Sequence, residues 1–158
     1  MAPDLLAIYL NDHLAGATLG VELARRLRGS NQGDGDFGPA LAELCAEIEA
    51  DRETLERVME RLGVGQSKLK PLGAVLGERL GRLKLNGQLR GYSPLSRLDE
   101  LEILQLGVTG KQRLWRALEH SRSADLRDFD LDALAARAGG QLRRLEELHL
   151  KAAALALR

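Results

Sequence analysis

Net charge is what this sequence most plainly lacks. Its 158 residues carry 23 Lys and Arg against 23 Asp and Glu, a formal balance of +0. No sequence-wide field therefore draws it to nucleic acid or to an anionic membrane. Aromatic residues stand at only 3%, which removes the stacking platforms that single-strand binders use, so no nucleic-acid role is expected. Cysteine is reduced to Cys45. No intrachain disulfide can form, which suits a reducing compartment. The longest apolar run, "AAALAL" near the end, falls far short of the ~20 residues a membrane span needs. The opening "MAPDLLAIYL" carries Asp4 where a signal peptide has Lys or Arg. These absences lead to the expectation of a cytoplasmic protein with no membrane role, folded as one domain over residues 1–158.

Strand patterning is missing as well: nothing alternates, and Val and Ile are sparse. What is present is helical period throughout. Five helices are predicted, over about 3–28, 37–62, 67–85, 94–119 and 130–157. The first has a seam of Leu6, Leu10, His13, Ala17, Gly20, Ala24 and Leu27 with heptad rhythm. "GSNQGDGDFG" (29–38) reads as a loop. The second seam is Phe37, Leu41, Leu44, Ile48, Asp51, Leu55, Val58 and Leu62, and Gly63 ends that helix. The 67–85 stretch lines up Leu69, Leu72, Leu76, Leu80 and Leu83 beside a ridge of Gly73, Gly77 and Gly81. At its length it would rise roughly 28 Å and carry the chain from one end of a bundle to the other. Ser93-Pro94 supplies an N-cap and an N1 proline. The next seam is Glu100, Leu104, Gly107, Lys111, Leu114 and Leu118, and the last runs Leu131, Leu134, Ala138, Gln141, Leu145, Leu148, Ala152, Leu155.

Polar residues inside apolar seams carry the functional information, because burying them unpaired is costly. They are His13, Asp51 beside Arg52, Glu100, Lys111, and His149 with Glu146. Pairing the first two helices as an antiparallel hairpin places His13 level with Asp51 and Arg52. The same step for the last two places His149 level with Glu100 and Leu101. If 67–85 climbs the bundle, Lys111 rather than Glu100 is level with His13 and Asp51. Each feature has two readings. Glu146 and His149 form either a metal-binding Glu-x-x-His or a core histidine bonded to Glu100 with a flanking acid. His13 and Asp51 form either a register-fixing pair or, with a third ligand, a mononuclear metal site. Lys111 is expected to snorkel and Cys45 to be an inert small hydrophobe.

The stretches "EIEADRETLERVMERLG" and "RLEELHLKAA" resemble the second and last helices of the ferritin-like superfamily. The resemblance covers most of the chain and implies an all-α, up-down bundle of four long helices plus a connecting helix. Di-iron members supply a Glu from each of two helices and Glu-x-x-His from each of the other two. Carried over, the resemblance implies Glu146 and His149 on the last helix, Glu100 or Glu102 on the fourth and Glu49 on the second, while His13 takes the core position on the first. Arg52 stands where the second histidine belongs, and the first helix has no Glu on its seam. A fixed guanidinium cannot ligate, and a missing carboxylate removes both a ligand and balancing charge.

Other near-motifs fail on context. "GVGQSK" (63–68) follows a helix and lacks Gly-Lys-Ser/Thr, and "GVTGKQ" (107–112) lies within one. "GDGDFG" departs from the calcium-loop pattern. The expected function is a non-catalytic binding or scaffold protein on a ferritin-like bundle with an incomplete metal site and no resident cofactor. The alternative is an iron- or manganese-dependent oxidoreductase or an iron-handling protein. Second apolar stripes on the first helix and on the fourth (Ile103, Leu106, Gly110, Ala117) suggest a homodimer or another protein partner.

Overall fold

The computed structural model describes residues 4–67, 78 and 91–158. Its long elements are α1 (Leu5–Ser30), α2 (Gly38–Arg61), α3 (Pro94–Ser121) and α4 (Leu131–Ala156), with a 3-10 turn at Ala124–Leu126. No strand occurs among the described residues. The expected connecting helix over 67–85 lies outside them.

Local chemistry sets the helix ends. Asp4 accepts the Ala7 N–H and starts α1. Ser93 and Ser96 cap α3 reciprocally, with Pro94 at the first position. Asp130 accepts the Ala133 N–H and starts α4. At the end of α2 the Gly63 N–H bonds the Glu60 carbonyl and the Val64 N–H bonds the Met59 carbonyl. This is a Schellman closure, with Gly63 at φ +66° and the side chains of Val64 and Met59 buried in one apolar group.

Around the bundle, α1 lies between α2 and α3, and α4 closes the square against both of those, so α2 and α3 are diagonal. Side-chain pairs give the directions. Asn31 meets Tyr92 and Arg26 meets Glu100, so α3 begins beside the end of α1. Arg61 meets Asp128, so α4 begins beside the end of α2. The helices therefore run up, down, down, up. After α2, the Asn11 amide donates to the Gly65 carbonyl and its oxygen accepts the Ser67 N–H. Ser67 is thus held near the start of α1 and Tyr92 near its end, about 30 Å apart along the helix.

Buried apolar side chains form two groups. One holds Leu27, Leu41, Leu44, Leu101, Leu104 and Leu145; the other holds Leu10, Leu55, Met59, Leu114, Trp115 and Leu118. Asp51, Lys111 and Gln141 occupy the level between them on their helices. The seams of α2, α3 and α4 match the sequence pattern except at Gly107 and Leu155, which are exposed. That of α1 is turned by about one residue: Leu14 and Val21 are buried, while His13 and Gly20 are only half-buried and Leu6 is exposed.

Candidate functional site

The middle of the bundle is built around Asp51, 1% exposed. Lys111 Nζ donates to its Oδ2 at 2.5 Å, Gln141 Nε2 to the same oxygen at 3.0 Å, and Arg137 to Oδ1. Lys111 also donates to Gln141 Oε1 at 2.6 Å. The network continues to Glu47, which accepts from Gln141 at 3.0 Å and from Arg144 at 2.6 Å. Lys111 reaches across the diagonal of the square to do this, which requires its long flexible stem. Its side chain is 14% exposed, so it is a buried partner of Asp51 rather than a snorkelling surface lysine. Burial pulls its ammonium pKa down, while the Asp51 charge opposes that pull. Burial raises the Glu47 pKa, but the Arg144 and Gln141 hydrogen bonds outweigh it and leave the carboxyl below its usual range.

A second polar cluster sits nearer the Asn31 end. Glu100, 0% exposed, lies 2.6 Å from Arg26 Nε and accepts from the Tyr92 hydroxyl at 3.2 Å. Burial lifts its carboxyl, and Arg26 only partly reverses this. Tyr92, which accepts from Asn31, is pushed up to about 12, by burial first and then by the Glu100 charge.

The remaining sequence-derived candidates are dispersed. His149 meets Glu102 at 3.1 Å on the rim of α3 and α4, and Glu146 accepts from Gln105 at 3.0 Å. The expected facing of His149 and Glu100 is corrected. The register is right, but a helix turns about 100° per residue, so Glu102 points to the rim and Glu100 inward. Glu49 is paired with Arg25 at 2.6 Å, and that hydrogen bond holds its carboxyl low. His13 packs edge-on against Tyr9, ring centroids 4.6 Å apart. It shares a cavity with Asp51 but is no hydrogen-bond partner of it, because the α1 seam is turned. Burial lowers the His13 pKa against the opposing charge of Asp12.

Among the described residues no three His, Cys, Asp or Glu side chains group as a metal would need. The chemistry of the donors agrees. Asp51, Glu49 and Glu100 each already carry an ammonium or guanidinium, and those cations sit where a metal would bind. The di-metal donor set implied by the ferritin resemblance therefore does not fit these residues. Arg26, Arg137, Tyr92 and Glu47 complete the two clusters and were not anticipated. Gln141 was not singled out either, although it stood on the predicted seam as a polar residue at a core position.

The largely apolar cavity lies between α1 and α3, with a volume of about 390 Å³. Tyr9, Asp12 and His13 face Lys111, Leu114 and Trp115 at one end; Leu19, Gly20 and Leu23 face Ile103, Leu104 and Gly107 at the other. No helix among the described residues is long and apolar enough to cross a membrane. Compared with protein-family models, with curated proteins and with solved structures, the chain matches none.

Proposed function

We propose that this chain is a non-catalytic binding protein built on a ferritin-like bundle whose metal centre has been replaced by ion pairs. The ferritin-like part of the reading is supported by the up, down, down, up order and the diagonal placement of α2 and α3. One observation carries the rest: the buried carboxylate at mid-bundle, Asp51, is saturated by Lys111, Arg137 and Gln141. A carboxylate so neutralised gains stability from its cations and offers no free charge to a divalent ion.

Metal analysis of protein purified without chelators, followed by anaerobic Fe(II) and Mn(II) titration at micromolar concentrations, tests this. The expected result is no stoichiometric metal. A bound ion that disappears in His149→Ala would overturn the proposal in favour of a metal-dependent oxidoreductase or iron-handling protein.

A further inference from the structure

The cavity between α1 and α3 has an amphipathic wall. Its polar end gathers Asp12, His13, Asp51 and Lys111, and its other end is lined by Leu23, Ile103 and Leu106. Its volume, about 390 Å³, lies within the range of small-molecule sites, roughly 300–1,000 Å³.

The hydrogen-bonding capacity of the polar end is unbalanced toward donors. Asp51 is fully satisfied. Lys111 gives two N–H groups, to Asp51 and Gln141, and an ammonium has three. Among the described residues the third has no acceptor. The indole N–H of Trp115, itself 0% exposed, is buried with no acceptor either. A buried donor without a partner costs free energy. Asp12, which also lines this end, is only half-buried.

Among the described residues, a Cβ added at Gly16, Gly20, Gly107 or Gly110 meets nothing within 4 Å. These glycines therefore serve no close contact between the described helices.

We propose that this cavity binds a medium-chain aliphatic monocarboxylate, its head at Lys111 and Trp115 and its chain running toward Leu23 and Ile103. The proposal rests on the reading of the chain as a binding protein and adds the class of ligand. A carboxylate supplies the acceptors these donors lack, and the apolar end takes the chain.

Trp115 is the single tryptophan, so its fluorescence reports occupancy. Octanoate, decanoate and dodecanoate, kept below their micelle concentrations, would be titrated beside the matching alcohols and amines. Saturable binding is expected, tightening by about fourfold per added methylene, with the carboxylate about tenfold tighter than the alcohol. Gly20→Leu and Gly107→Leu should fold, since a Cβ at either meets nothing within 4 Å among the described residues, and should lose the fluorescence change. No saturable change, tighter binding of the amine, or unchanged binding in both leucine variants would each overturn the proposal. So would a dimer, seen by sedimentation, whose Trp115 signal ignores all three ligands, because a second copy would then fill the groove. Failure here with no metal bound leaves the proposed function standing; stoichiometric metal removes that reading whatever the carboxylates do.

Discussion

Asp51 shows how a single residue can divide a core. It stands on an apolar seam, 1% exposed, and is tolerated only because three donors meet it. Lys111→Met removes one of them and leaves Asp51 with Arg137, which is 38% exposed, and Gln141. The expected loss is about 3 kcal/mol, near the low end for breaking a buried pair because one cation remains. The double variant Asp51→Leu, Lys111→Met should be more stable than Lys111→Met alone, since no buried charge is left unanswered. Urea denaturation of the three proteins checks both statements, and a double variant less stable than the single would contradict them. In the sequence, Asp51 and Lys111 were visible as breaks in the apolar pattern, and their common level followed from the bundle-length connection. Arg137 was not visible: it lies off the seam, and only a folded neighbour shows that its side chain bends inward.

Among the elements, the helix ends were the most legible because their signals are local. Gly63 closes α2 at φ +66°, a conformation a Cβ disfavours, so Gly63→Ala should cost about 1 kcal/mol. Gly38 begins α2 with an ordinary backbone, and its restriction comes from space: a Cβ there would lie 2.9 Å from the Asn31 carbonyl oxygen. Gly38→Ala is expected to destabilise by at least as much as Gly63→Ala, through forced movement of the loop that joins α1 and α2. Thermal melts of both variants test this, and an unchanged midpoint for Gly38→Ala would mean the loop yields freely. No sequence rule distinguishes these two glycines, because one is limited by its own φ and the other by a carbonyl seven residues away. The rotation of α1 is of the same kind. Its apolar rhythm put Leu10, His13 and Ala17 on the inward seam, and packing turned the helix so that Leu14 and Val21 are buried instead, leaving His13 at the groove.

Across the whole molecule, ion pairs between helices tie stability to pH. Glu47 joins α2 to α4 through Arg144 and Gln141, and its folded-state pKa lies below the ordinary value despite burial. An acid depressed on folding contributes stability that is complete above its unfolded pKa, about 4.3. That contribution fades as pH falls through the lower folded value. Glu47→Gln should therefore be less stable than the parent near neutral pH and equal to it at about pH 2, where both side chains are uncharged. Equal stability at both pH values would show that the Arg144 pair contributes nothing. Glu100 has the opposite sign: its raised carboxyl favours the folded state when protonated, so it softens acid lability.

Period and caps were enough for the sequence by itself to determine the four described helices and most of their buried faces, because these depend on residues three or four apart. Which carboxylate meets which cation was decided only by tertiary structure. A helix flank turns about 100° with each residue, so Glu100 goes to Arg26 and Glu102 to His149 although only two positions separate them. The groove was likewise decided there, since its walls come mainly from α1 and α3, helices that no short loop connects.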